Sequence, residues 1–189
     1  MKKLFQLSAL AGFCFLLISC KQDCPEPPKD DGTKATMEAN KKLAAGIFDV
    51  FNTGNTEGIE KIIAADMKEN TPDPNDPCPD KVGPDKFKCI VASYRGSFPD
   101  VKVVAKVTVA EGDMVVVWGE WSGTNTGEMM GMPPTGKSVT QPFVDMFKCK
   151  DGKITEHWGI ADNLAFMTQL GMIPPMGEEA PKDAKKKGK

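Results

Sequence analysis

The sequence predicts an α+β domain in which helices cover one face of an antiparallel sheet. Apolar residues recur at helical spacing before residue 98, whereas after Pro99-Asp100 the apolar period changes to two. Turn signals such as Asp151-Gly152 divide this second part into hairpins. Helices followed by an antiparallel meander are typical of the α+β class, and a strongly twisted sheet curls to leave an apolar pocket under the helices.

Four helices are predicted. Leu43, Ile47 and Phe51 lie on one face of the first, which Asn52-Thr53-Gly54 ends. A second, short helix is expected to begin at the Thr56 cap. The buried face of this second helix is expected to carry Ile59, Ile62 and Ile63. The third helix is expected to run from Pro84 to Ser97, and the last helix from Asn163 to Leu170.

Four long strands are predicted in the second part of the chain. Glu111-Gly112-Asp113 and Asp151-Gly152 supply tight turns, so consecutive strands are expected to pair antiparallel. The strands are expected at residues 101–109, 114–124, 137–149 and 153–161.

The N-terminus reads as a secretory signal peptide over residues 1–19. Two lysines precede an apolar stretch that ends at Ile18, and Leu17-Ile18-Ser19-Cys20 fits the lipobox of bacterial lipoproteins. We expect lipid with acyl chains such as palmitate on Cys20, which anchors the chain to a membrane of the bacterial cell envelope, on its periplasmic or surface side. The alternative is an ordinary signal peptide with a coincidental cysteine.

One domain is expected, at residues 37–173, between an N-terminal tether and a C-terminal tail. A flexible tether is predicted at 20–36 and a disordered Lys-rich tail at 174–189, because both segments offer little apolar surface to bury. The chain has 24 basic and 26 acidic residues, and Arg95 is the single arginine. A nucleic-acid-binding surface is therefore not expected.

A disulfide between Cys78 and Cys89 is expected in an oxidising compartment. Phe87 and Tyr94 lie on the buried face of the third predicted helix, and Cys89 lies about 200° from Phe87 at about 100° per residue. Cys89 therefore faces outward, towards the Pro-rich loop that carries Cys78. The alternative is two free thiols. Zinc-type ligand spacing is not seen, since the cysteines are scattered and the chain has 1 histidine.

Three segments resemble the SnoaL-like polyketide cyclases, also called the ester cyclase family. Residues 121–137, WSGTNTGEMMGMPPTGK, resemble the family signature, residues 152–163 its closing strand, and residues 51–55 its first helix terminus. Two further motifs, Phe98-Pro99-Asp100 and Glu111-Gly112-Asp113, occur in the same order along the chain as in the family. The resemblance covers nearly all of residues 40–172.

The resemblance implies a nuclear-transport-factor-like fold, in which a cone-shaped, curled antiparallel sheet is covered by three helices and the subunits pair, here as a homodimer. It also implies intramolecular aldol ring closure on a polyketide ester without metal or organic cofactor. Asp162 matches the aspartate thought to act as acid and base. An apolar setting would raise its pKa towards the working range, whereas the alternative role is a cap of the last helix.

His157 is a second catalytic candidate, because its pKa lies near neutrality. In an unbroken strand His157 faces away from Asp162, so both reach one pocket only through a bulge or an earlier strand end. A structural histidine is the alternative.

Five residues are candidates for ligand binding: Trp118, Phe147, Asn52, Asn125 and Met130. The alternative for Trp118 and Phe147 is a place in the core, and the alternative for Met130 is loop packing. Met130, with its neighbouring methionines, could form an apolar lid. Relatives commonly carry histidine where this chain has Asn70 and Asn125, and asparagine cannot exchange protons. The sequence therefore predicts a lipoprotein that binds a small apolar carbonyl or ester compound, with cyclase chemistry or, alternatively, as a non-catalytic binding or oligomerising envelope module.

Overall fold

A computed structural model describes residues 33–73 and 75–174. The predicted signal peptide, the lipidation site at Cys20, Cys24 and nearly all of the predicted tail lie outside the described residues. No helix of the described part is long and apolar enough to cross a bilayer.

The described residues form three α-helices, a 3-10 turn and five strands in one sheet. In chain order these are α1 (Thr33–Thr53), the 3-10 turn (Ile59–Lys61), β1 (Ile63–Glu69), α2 (Gly83–Ser97), β2 (Lys102–Glu111), β3 (Met114–Thr124), β4 (Ser138–Lys150), β5 (Lys153–Ala161) and α3 (Asn163–Leu170). The strand order is β1-β5-β4-β3-β2, so β1 and β2 are the two edges of an open sheet. Helix α1 begins at Thr33, which lies inside the segment predicted as a tether.

The α+β class and the four long strands are confirmed, but the second predicted helix is wrong. Only Ile59–Lys61 turns helically, and the chain then enters β1, which pairs parallel to β5. The sheet is therefore mixed rather than wholly antiparallel. Ile59, Ile62 and Ile63 have helical spacing, yet the backbone of Ile62 accepts a hydrogen bond from Ile154 and a strand follows. Pairing with β5 overrides the local pattern.

The sheet buries one face against the helices, and we call this the inner face. On β3 and β4 the odd-numbered residues point inward, among them Trp121, Phe143 and Phe147. Phe48 of α1 packs on the last two, with ring centroids 5.5 Å from Phe143 and 6.2 Å from Phe147. The inner face is thus an aromatic surface under α1.

The predicted disulfide between Cys78 and Cys89 is confirmed. It ties the loop after β1 to the first turns of α2. The carboxylate of Asp76 accepts a hydrogen bond from the Cys78 backbone and pairs with Lys86, which adds a second link to the same helix. The bond therefore fixes the loop that follows β1.

The opposite face of the sheet, here the outer face, carries exposed apolar side chains. Val107 pairs with Trp118, Trp118 with Val144, and Val144 with Ile160, so these four residues form one row across β2, β3, β4 and β5. They are 50%, 50%, 39% and 71% exposed in that order. Ion pairs lie beyond the row along the strands, Lys106 with Glu120 at 3.7 Å on one side and Lys148 with Glu156 at 3.5 Å on the other, past the Met146–Trp158 pair.

Candidate functional site

Asp162 lies at the junction of β5 and α3, where it caps the helix. Its Oδ1 accepts a hydrogen bond from the Ala165 amide at 2.9 Å, and the residue is exposed. Ile160, two residues before Asp162, is 71% exposed on the outer face and does not shield the carboxylate from water. The structure therefore gives Asp162 the capping role, and the desolvated setting expected for acid–base work is absent.

His157 lies on the inner face of β5, in direct pairing with Phe147 of β4. The two rings stack at 5.1 Å with an interplanar angle of 28°. Nδ1 lies 2.6 Å from Oε2 of Glu69 and Nε2 lies 3.4 Å from Oδ1 of Asp145. The imidazole is thus held between two carboxylates and above an aromatic ring, in a group that we call the His157 cluster: Glu69, Asp145, Phe147 and His157.

Strand β1 supplies Glu69, which the sequence prediction missed. Glu69 pairs with His157 across the parallel β1–β5 ladder, and the Asn70 amide donates to the His157 carbonyl at 2.9 Å. The Thr71 amide and hydroxyl both donate to Oε1 of Glu69, at 3.0 Å and 3.1 Å. The Gly159 amide in turn donates to the Thr71 hydroxyl at 2.7 Å. The backbone of both strands therefore fixes the Glu69 carboxylate.

A glycine lets Asp145 approach the imidazole. A Cβ on Gly159 would lie 3.1 Å from Oδ1 of Asp145 and 3.1 Å from Cε1 of His157, closer than such contacts normally come. Gly159 separates these two side chains on the inner face without filling the space between them.

Charge pairing dominates the electrostatics of the cluster. Burial by itself would lower the pKa of His157, but the hydrogen bonds and negative charges of Asp145 and Glu69 raise it to about 9. Burial opposes ionisation of Glu69 as well, yet the hydrogen bond and charge of His157 bring its pKa below the usual value. His157 is therefore an imidazolium at neutral pH.

Tyr94 of α2 faces the cluster from the helix side. Its ring packs edge-on against Trp121 at 6.1 Å and Phe51 at 5.9 Å, and the residue is 37% exposed. Burial raises the pKa of Tyr94, and the charges of Asp73 and Asp145 raise it further. The phenol remains protonated, so it can donate a hydrogen bond near Asp145.

Of the five predicted ligand-binding residues, only Phe147 belongs to the cluster. Trp118 lies on the outer face, so Trp118 and Phe147 cannot line one pocket. Asn52 pairs with the backbone of Val103, donating to its carbonyl at 2.9 Å and accepting from its amide at 2.6 Å, and so covers the edge of β2.

Asn125 and Met130 belong to the loop between β3 and β4. Asn125 is fully buried and bonds the loop together, donating to Ser97 and Gly127 carbonyls and accepting from the Thr135 amide. Met130 is 49% exposed with a φ of 52°. Both positions are explained by the conformation of this loop.

A shallow depression lies beside the C-terminus of α1, with a volume of about 480 Å³. Asn52, Arg95 and Asp100 are among its lining residues, and it opens widely to solvent. The Arg95 guanidinium donates to the Phe51 carbonyl at 2.9 Å, which satisfies the end of α1. Within residues 33–73 and 75–174, His, Cys, Asp and Glu side chains form no group of three arranged to hold a metal ion.

Comparison with known proteins identifies the family. The model of the SnoaL-like polyketide cyclases matches residues 41–170. The aklanonic acid methyl ester cyclase DnrD of Streptomyces peucetius is 25% identical over 143 residues, which cover 75% of this chain and 97% of that protein. The nogalonic acid methyl ester cyclase of Streptomyces nogalater is 29% identical over 126 residues, covering 64% and 89%.

Solved structures share the fold. Wild-type IdmH from Streptomyces antibioticus is 29% identical, with a TM-score of 0.61 over 70% of this chain and 98% of its own. TsrD from Streptomyces laurentii is 20% identical, with a TM-score of 0.64 over 72% and 97%. The residues that the family model matches, 41–170, include every strand of the sheet and all four residues of the His157 cluster. The chain therefore belongs to the SnoaL-like polyketide cyclase family.

Proposed function

We propose that this chain catalyses cyclase-type acid–base chemistry on a small apolar molecule that carries carbonyl or ester groups, and that the reaction takes place at the His157 cluster. One observation carries the proposal: the His157 ring lies on Phe147 between the carboxylates of Glu69 and Asp145. Such a grouping of titratable side chains with shifted pKa values, set against apolar surface, is typical of an active site.

The chemistry suits this grouping. Ring closure by aldol addition needs a base to take a proton from carbon between carbonyls, and a partner that stabilises the resulting negative charge. A carboxylate of the cluster can accept and return the proton, while the imidazolium stabilises the charge. The Phe147 ring stacked on His157 gives the cluster an apolar neighbour. Two relatives are named as cyclases of methyl esters, which supports a carbonyl or ester substrate.

A turnover assay tests the proposal. Purified chain is incubated with aklanonic acid methyl ester or nogalonic acid methyl ester, and ring closure is followed by chromatography with mass detection. We expect His157→Gln to lower the turnover rate by at least about 100-fold, the usual effect of removing one group that stabilises charge in the transition state.

Two further variants make the assay decisive. Asp66→Asn, an exposed carboxylate of β1 outside the cluster, is the matched control and should retain the wild-type rate. Asp162→Asn keeps the helix cap and tests the position matched by sequence. A larger loss at Asp162 than at His157 would move the reaction centre to α3 and refute the proposal.

The outer face supports a second proposal, that the chain assembles as a homodimer. The apolar row Val107, Trp118, Val144 and Ile160 exceeds what a solvated sheet face needs, and exposed apolar surface of this extent marks an interaction site. Its borders carry both signs of charge, so a second copy of the same face is an electrostatically compatible partner. If the His157 cluster proves inert, this face is the feature that favours an oligomerising envelope module.

We also propose that lipid on Cys20 anchors the chain in the bacterial cell envelope, on the basis of the Leu17-Ile18-Ser19-Cys20 pattern. Expressed in a bacterium, the wild-type chain should sediment with membranes, and its N-terminal peptide should begin at Cys20 with added acyl mass. Cys20→Ser should move the protein to the soluble fraction. An unmodified Cys20 in the membrane-free wild-type protein contradicts this proposal.

A further inference from the structure

We infer that Asp145 is the catalytic base of the proposed reaction and that Glu69 is a positioning residue, which holds His157 so that its imidazole fixes one oxygen of Asp145. The inference rests on the proposed function and deepens it by assigning different roles to the two carboxylates. The sequence prediction named neither residue.

The two carboxylates differ in how many of their lone pairs are used. Both oxygens of Glu69 are engaged, Oε1 by the Thr71 amide and hydroxyl and Oε2 by His157. Asp145 contacts His157 through Oδ1 alone, and among the described residues Oδ2 has no hydrogen-bond partner. A fully bonded carboxylate orients its neighbour, whereas a carboxylate with a free oxygen can accept a proton.

His157 itself is not free to transfer protons. Nδ1 is hydrogen-bonded to Glu69 at 2.6 Å and Nε2 forms an ion pair with Asp145 at 3.4 Å, so a carboxylate lies next to each ring nitrogen. The imidazolium therefore acts as a fixed positive charge beside the Asp145 carboxylate. The group that transfers the proton is therefore the carboxylate of Asp145.

The support for Glu69 is rigid. Thr71 joins Glu69 to the Gly159 amide, and the Asn70 amide binds the His157 carbonyl, so strands β1 and β5 are locked at this level. Because Nδ1 is held by this frame, Nε2 has one direction, towards Asp145. A residue that acts in this way contributes through geometry rather than through contact with substrate.

Asp145 is partly accessible from outside the protein. Its side chain is 21% exposed and projects from the inner face between Phe143 and Phe147. Tyr94 approaches from α2, and its phenol interacts electrostatically with Asp145. A carbonyl oxygen next to this phenol would receive a hydrogen bond while the neighbouring C–H points at Oδ2.

The proposed step balances without a co-reactant. Asp145 takes a proton from carbon between two carbonyls, and the C–H electron pair forms an enolate. The enolate carbon bonds to the acceptor carbonyl carbon, whose π electrons move to its oxygen. Asp145 then returns the proton to that oxygen, so the carboxylate is regenerated and the product is an isomer of the substrate.

Because the chain has 1 histidine, the positioning role can be read directly by NMR. With His labelled in ¹³C and ¹⁵N, the Cε1–H shift is followed against pH. The charged groups facing the ring are Glu69 from β1 and Asp145 from β4. Tyr94 of α2 interacts electrostatically with Asp145 and with Asp73 of the loop after β1. We expect the wild-type midpoint near the value of about 9 given by these contacts.

The variants separate the roles. Glu69→Gln should lower the midpoint by about one pH unit or more, the usual effect of one adjacent charge, while Asp66→Asn on the same strand should leave it unchanged. In the turnover assay Asp145→Asn should lower kcat at least about 100-fold. Glu69→Gln should lose less activity, and the high-pH limb of its profile should move down with the histidine midpoint. Circular dichroism checks that each variant is folded.

The outcomes that overturn the inference are distinct. A histidine midpoint that Glu69→Gln leaves at the wild-type value refutes the positioning role, whether or not the chain is active. Retained activity in Asp145→Asn, together with loss of activity in His157→Gln, refutes the assignment of Asp145 as the catalytic base. A wild-type chain that closes neither ester refutes the proposed function and the catalytic role of Asp145, whereas the titration still decides the role of Glu69.

Discussion

Raising the pH from about 6.5 to about 9 is expected to destabilise the folded chain by up to about 3 kcal/mol through His157 alone. In the folded chain the pKa of His157 is raised from 6.5 to about 9, because Asp145 and Glu69 outweigh the effect of burial. Below the unfolded pKa both states carry the proton and the stabilisation is complete. As the pH rises, the unfolded state loses its proton first, so folding must bind one and stability falls.

Urea unfolding at a series of pH values measures this loss. The wild-type free energy of unfolding should decline across the window, whereas His157→Gln should give a nearly flat profile over the same range. Burial raises the pKa of Cys149 to about 11, aided by the charge of Asp113, so the thiol adds a further decline above pH 9 and sets the upper end of the window. Equal slopes in wild type and variant would rule out the charge pairing of His157.

Replacing Trp118 by Lys is expected to convert the proposed homodimer, paired through the outer face, into monomers. Trp118 is at the centre of the outer-face row, between Val107 and Val144. Full burial of one large apolar side chain contributes about 1.5–3 kcal/mol, and on a two-fold interface each substitution acts twice. A lysine would also place two ammonium groups in a desolvated contact. The apparent dimer dissociation constant should therefore rise by at least about 100-fold.

Analytical ultracentrifugation of the Cys20→Ser chain, which carries no lipid, measures the effect. Leu164→Lys is the matched control, since Leu164 is 54% exposed on α3 and lies away from the outer face. The control should sediment with the wild-type chain. A wild-type chain that is monomeric at high concentration contradicts the dimer, and a dimer that tolerates Trp118→Lys would place the interface elsewhere.

The periodicity of the sequence predicted most of the sheet correctly. Strands β2 to β5 alternate because one face packs on the helices, and Asp151-Gly152 fixes the last hairpin. Strand β1 was not predicted. Its two buried residues, Ile63 and Ala64, occupy its first positions, and Ile63 continues the helical spacing of Ile59 and Ile62. Only its partner β5, remote in sequence, makes this segment a strand, and local pattern contains no such information.

The candidate site was predicted in part. His157 and Phe147 were named, and the parity argument correctly set His157 apart from Asp162. The position of Asp145 could have been predicted, because residues two apart in a strand point to the same face, and Asp145 lies two residues from both Phe143 and Phe147. Glu69 had no such signal once its segment was assigned to a helix. Matching Asp162 by sequence gave its position but not its exposure, which depends on where β5 ends.

Glu69 and His157 are 88 residues apart in the chain, yet they meet in one parallel ladder. Joining such distant segments requires a large loop to close before any contact rewards it, so this corner of the molecule should assemble late during folding. A ribosome-bound chain that has not yet emerged through its last hairpin therefore lacks the His157 cluster. The cluster is completed in one step, when β5 inserts between β1 and β4.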